Sequence, residues 1–289
     1  MAGTPILRAT RVVFTLDLLF SLVAGVVLVG LASRTEDAFA WTIKLPVTAA
    51  FLGAGYLAAV AMLIPSYRQR LWRPVRIIPV MGVTLTFVTA VVTLRHLDDF
   101  HLGAGSTTGR LAAWAWLAVY VTIPLLLAAV FVAQERAGGR REREVVEPLL
   151  PLMRVVLSAQ ALAAGVLGLG LVAAPGTFDA VWPWPLPPLS AGAVGAWLLT
   201  VAAGSAWGLL DGDWRAFRIA LPGLGTYGVF VTLAVALHAE PLDGGDRQER
   251  VFAVGLLALV VLALPATIAQ ERRHGDVTAA PATAPPARP

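Results

Sequence analysis

The stretch FDAVWPWPLPPLSAGAVGAW, Phe178 to Trp197, decides how this chain is read. Its prolines and tryptophans are hostile to a helix at one end, and small residues open an apolar run at the other. It lies over an earlier stretch, DAFAWTIKLPVTAAFLGAGY, Asp37 to Tyr56. At a spacing of 141, Trp41 meets Trp182, Pro46 meets Pro187, Ala50 meets Ala191 and Tyr56 meets Trp197. At 142, Trp72 meets Trp214, Arg73 meets Arg215, Arg76 meets Arg218, Thr84 meets Thr226 and His96 meets His238. The tetrapeptide AQER recurs at Ala133–Arg136 and Ala269–Arg272. Chance is a poor source of so many ordered Trp, His, Arg and Pro matches, so the pattern predicts a tandem duplication.

Outward from these stretches the chain is a series of apolar blocks. Of 289 residues, 57% are hydrophobic and only 14% are charged, too little charge to coat a globule in water. The blocks fall at roughly 12–32, 47–66, 77–95, 111–133, 151–173, 189–209, 219–237 and 251–269. Each is about long enough to cross a bilayer core of about 30 Å as a helix. The expected fold is an all-α integral membrane protein, with eight transmembrane helices arranged as two four-helix repeats. Four is even, so the repeats enter the membrane in the same direction and are related by an axis along its normal. Ala38-Phe39-Ala40 resembles a leader cleavage site, but the run from Val12 is too long for a leader and is expected to stay as a span.

Charge sets the orientation. Placing both termini and the 2–3, 4–5 and 6–7 loops on one side gives that side sixteen of the 22 Arg and Lys residues, which predicts cytoplasmic termini. The basic residues are arginines apart from Lys44; with the Ala, Gly, Pro and Val richness, this points to a bacterial cytoplasmic (inner) membrane. The pI near 10.1 then reports topogenic arginines rather than nucleic acid binding. The expected partners are the lipid bilayer and, beyond it, a membrane-protein partner or a second copy. Residues 1–134 form the first repeat, 135–148 a charged linker, 149–274 the second repeat and 275–289 a Pro/Ala-rich disordered tail.

With no cysteine, thiolate chemistry and Cys-based clusters are excluded. The chemistry-bearing residues gather in two places. RHLDDFH offers His96, Asp98, Asp99 and His101, and the second copy offers His238 and Glu240 in the same His-x-acid pattern. Imidazole with carboxylate suits a divalent metal, although no spacing matches a metal signature, and a solvated polar rim explains the same residues. Asp17 is the one carboxylate well inside a span, where a charge is costly and calls for a partner. Arg154, in the opening turn of the fifth span, is the expected one, coupling the halves as an ion pair. Trp41, Trp182 and Trp184 suit the headgroup interface as anchors, with one ring edge wet; a lid over a cavity is the second reading. The small-residue runs GAGYLAA (Gly53–Ala59) and AAGSAWG (Ala202–Gly208) suit close helix packing.

The segments VWPWPLPPLSAGAVGAWLL, LPVTAAFLGAGYLAA, HLDDFHL and AAWAWLAVYV resemble multi-pass membrane proteins of actinobacteria, a family to which no activity attaches. Where such proteins carry Thr-Ala-Arg after the Trp-Pro-Trp-Pro-Leu segment, this chain has Ser190-Ala191-Gly192. Three functions fit the residues. The first is a protein, not an enzyme, that binds or moves a small ligand or ion at the repeat interface. The second is a metal-dependent membrane enzyme using the outer His and acid clusters. The third is a structural subunit of a membrane complex.

Overall fold

A computed structural model describes residues 3–103, 105–138, 145–178, 181–238 and 263–275. Seven long helices dominate it: α1 (Arg8–Gly30), α2 (Pro46–Ser66), α3 (Ile77–Arg95), α4 (Thr107–Gly138), α5 (Pro151–Ala173), α6 (Pro188–Asp211) and α7 (Leu221–Leu237). With the short turns that lead into α3 and α7, all seven are long and apolar enough to cross a membrane. Their outward faces carry exposed Leu19, Val23, Leu125, Leu162 and Val166, as a lipid-facing surface requires. The chain is thus a multi-pass helical membrane protein. The eighth span expected at 251–269 lies mostly outside the described residues; 263–275 are helical.

Three prolines start long helices. Pro46, Pro151 and Pro188 stand in the first turns of α2, α5 and α6, where a missing N–H costs little. Gly212 ends α6 in the left-handed conformation (φ 68°), which favours glycine, and lets its N–H bond the Gly208 carbonyl.

The packing order places the core. α1 packs on α2, and α5 on α6; α2 then packs on α7, and α6 on α3. α3 and α1 both pack on α4. The second long helix of each half therefore packs against the third of the other. The expected close packing of GAGYLAA and AAGSAWG is seen where α2 meets α6 and where α6 meets α3. A Cβ on Gly55 would stand 2.6 Å from the Trp197 ring, and one on Gly204 would stand 2.8 Å from Met81 Sδ. Gly223 seats Met62 in the same way. Met62 and Met81 each lie 142 residues before Gly204 and Gly223, so the two contacts are one contact with its partners exchanged.

Buried apolar side chains fall into two clusters, one at each end of the bundle. The first is aromatic. Trp41 stacks edge-on with Trp116 (5.0 Å) and tilts over Phe39 (4.8 Å) and Phe100 (5.3 Å). Trp182 meets Phe51 and Trp184, and Trp184 Nε1 donates to Thr48 Oγ1 at 2.8 Å. Here the sequence reading is corrected: Trp41, Trp182 and Trp184 are only 2–3% exposed and are not wet interfacial anchors. The Pro-rich chain around them cannot complete helical hydrogen bonds. It folds instead across the end of the bundle, where an aromatic ring gains most by burying all its apolar area.

The second cluster sits beneath an arginine-rich rim. Pro5 bridges to Leu71, with Ile6 N–H donating to the Arg70 carbonyl; Pro148 bridges to Asp213, with Leu149 N–H donating to the Gly212 carbonyl. Gln134 accepts the Leu7 N–H (2.6 Å) and donates to the Pro5 carbonyl; Gln270 accepts the Leu150 N–H (2.8 Å) and donates to the Pro148 carbonyl. Trp72 Nε1 and the Arg76 guanidinium both donate to Glu135, while Trp214 Nε1 and the Arg218 guanidinium both donate to Glu271. Glu135 was expected in a charged linker. Here it is the last-turn acid of α4 and ties that helix to the rim.

Candidate functional site

Between the aromatic end and the rim lies an open-mouthed cavity of about 100 Å³. Its walls come from α2, α3, α6 and α7, the helices that cross between halves. α1 adds Asp17 and Ser21, and α5 adds Gln160. Trp197 and Tyr227 stand toward the aromatic end, and Phe217 and Ile77 toward the rim. Tyr56 packs edge-on against Trp197 at 5.0 Å, an 89° crossing. Its hydroxyl bonds the Tyr120 hydroxyl, which closes this wall. Small residues make the space: with Gly55, Ala58, Ala59, Gly204 and Gly223 lining it, crossing helices enclose a void instead of filling it.

Most of the wall is apolar, with Met62, Met81, Leu63, Ile78, Leu85 and Leu224 among its members. Polar groups are few, and most are already committed. Thr86 donates to the Gly82 carbonyl (2.7 Å), Thr200 to the Ala196 carbonyl (2.8 Å) and Ser205 to Gln160 Oε1 (2.9 Å). The first two are threonines bonding carbonyls of their own helix one turn back. Asp17 Oδ1 has Ser21 Oγ at 3.5 Å, the outer limit of a hydrogen bond. Among the described residues no Arg, Lys or His stands within 4.0 Å of the Asp17 carboxylate.

The expected Asp17–Arg154 pair is therefore not formed. Arg154 is exposed, and its guanidinium reaches toward Gly212 at the end of α6. The reason is geometric. α1 and α5 do not pack on each other; each packs on the helix that follows it. The charged pairs between halves lie at the rim instead. Arg73 reaches Asp213 (3.2 Å) and Asp211 (3.5 Å), and Arg76 reaches Asp211 (3.1 Å) as well as Glu135 (2.7 Å). Arg76 also lies over the Trp207 ring at 5.3 Å, a cation–π contact. Only the arginine matches hinted at this network; its acids at 211 and 213 have no matching acids in the first half.

Among the described residues the His and acid clusters do not assemble as a metal centre. His96 Nδ1 lies 3.4 Å from Asp99, and Asp98 and Asp99 are exposed. His101 spends both ring nitrogens on its own end of the bundle, on the Phe39 carbonyl (3.0 Å) and Thr42 Oγ1 (3.1 Å). His238 closes α7 through its backbone N–H to the Ala234 carbonyl, and Glu240 lies outside the described residues. Among the described residues no three of His, Asp or Glu are placed to hold one ion. His101 is a clasp between the α3–α4 and α1–α2 connections, a role its position in RHLDDFH did not suggest.

No protein-family model, no curated protein and no solved structure matches this chain.

Proposed function

We propose that this chain is a small-ligand binding protein of the bacterial cytoplasmic membrane, with its site in the cavity where the two halves cross. On this reading it is two parallel four-helix repeats, eight spans in all, with both termini cytoplasmic. The repeat reading is supported by the twin Trp–Arg–Glu and Gln–backbone bonds and by the exchanged Met–Gly contacts. The observation that carries the binding reading is the cavity itself: an apolar void with room for several waters, with a few convergent polar groups, between helices of a bundle. Well-packed interiors hold few voids larger than a water molecule, and one lined by a carboxylate is costly to keep without use.

Binding is tested with neopentylbenzene, a neutral apolar probe. It should raise the unfolding temperature of detergent-purified protein, because a ligand that binds only the folded state stabilises it. Ala59→Phe, which fills the cavity, should remove the shift. An equal shift in both proteins would mean the probe acts on the detergent, and the reading would fall. Topology is tested by single cysteines, since the chain has none of its own. An impermeant maleimide added to whole cells should label Asp98→Cys and leave Arg68→Cys unlabelled.

A further inference from the structure

We propose that the ligand of this cavity is an organic monocation with an apolar body, an alkylated or protonated amine whose nitrogen sits beside Asp17. This rests on the cavity being a binding site, as proposed above. The argument is one of charge and donor accounting. Asp17 is the one formally charged residue lining the cavity, and no described cation neutralises it. Among the described residues, the cavity's Ser and Thr hydroxyls all spend their protons within the protein: Ser21 on Asp17, Thr86 and Thr200 on helix carbonyls, Ser205 on Gln160. What they turn to a ligand is oxygen lone pairs. The donors left are the Gln160 amide, the Tyr227 hydroxyl and the Trp197 indole N–H, all neutral. An anion would find no cation here, and a sugar-like ligand too few donors for its hydroxyls.

The rest of the wall fits the same class. Met62 and Met81 offer polarisable sulfur, and Trp197, Phe217 and Tyr227 offer aromatic surface. Both suit N-methyl and aryl groups, and aromatic faces attract alkylammonium directly. A metal ion or hydrated inorganic cation would need several oxygen ligands in place of its water, which these apolar walls do not supply.

The deciding experiment compares two probes of one shape and different charge, benzyltrimethylammonium and neopentylbenzene. Each is measured by equilibrium dialysis against purified protein, with empty micelles subtracted. The expected result is tighter binding of the ammonium by about tenfold or more, as an ion pair in a low-dielectric site allows. Asp17→Asn should abolish that preference and leave neopentylbenzene unchanged. Asp17→Glu, which keeps the charge, should retain most of it and shows that any loss is not misfolding. Ammonium binding unchanged in Asp17→Asn, or a neutral probe preferred by the native protein, overturns the cation assignment while the cavity reading survives. If neither probe binds, or Ala59→Phe leaves binding of both intact, the cavity is not the site and both readings fall.

Discussion

α1 and α5 are the same helix in outline and differ in chemistry. Both have 23 residues. Both begin where a glutamine accepts the backbone N–H of the leucine just before the helix, and both pack on the helix that follows. Toward the cavity, however, α1 presents a carboxylate with a serine one turn on. α5 presents Gln160 at the equivalent place, 143 residues on as Leu150 is from Leu7, and it is already bonded to Ser205 of α6. The frames of the two helices are alike and the charge is one-sided. A two-fold site with two acids would carry two uncompensated charges; one acid suits one monovalent partner.

The strongest way to break this comparison is at the rim, where the halves are alike in sequence but not in burial. Arg76 is 6% exposed and joins Glu135, Asp211 and Trp207, whereas Arg218 is 44% exposed and joins Glu271. Arg76→Ala should cost about 3 kcal/mol, because it takes the ion pair from Glu135 and leaves Asp211 only its 3.5 Å contact with Arg73, and Arg218→Ala under about 1 kcal/mol. Equal losses on thermal unfolding in detergent would refute the asymmetry.

Exchanging the cavity-level residues sharpens the contrast between the two helices. Gln160 holds the place of Asp17 on α5, so Gln160→Asp should set a second uncompensated charge there and destabilise by about 3 kcal/mol, with loss of monodisperse protein as the readout. Asp17→Leu should have the opposite sign. It removes an unpaired charge and should raise the unfolding temperature while erasing any preference for cations, a trade common at functional sites.

The exchanged glycine contacts should give smaller and unequal effects. A Cβ on Gly223 meets Met62 and also comes within 3.0 Å of the Ala58 carbonyl, a backbone atom that cannot step aside. One on Gly204 meets only the flexible Met81 side chain in its near contacts. Gly223→Ala should therefore cost about 1–3 kcal/mol and Gly204→Ala less than about 1 kcal/mol, read from midpoints of denaturation.

The capping glutamines should differ least. Gln134 is bonded to Leu7, Thr10 and Pro5, and Gln270 to Leu150 and Pro148. Replacing either by leucine strands a backbone donor, and Gln134→Leu should be worse by about 1 kcal/mol for its extra partner. Hydrogen exchange at the first turns of α1 and α5 would rank them directly.

Length and apolarity were enough, from the sequence alone, to fix the helical membrane class and seven spans that the structure describes. A bilayer core demands about 20 apolar residues with every backbone bond closed internally, and that demand is written locally. The Trp, Arg and Gln matches were legible too, and they fall where the same bonds recur at the rim. Three things needed tertiary structure. Trp182 and Trp184 turn inward because a Thr48 hydroxyl and the Phe51 ring, more than 120 residues away, wait there. Arg154 and Asp17 stay apart because helix packing order, which no local pattern encodes, sets α1 on α2 and α5 on α6. The cavity exists because small residues on four helices meet at one level, and only the crossing of those helices decides whether small residues close a gap or leave one.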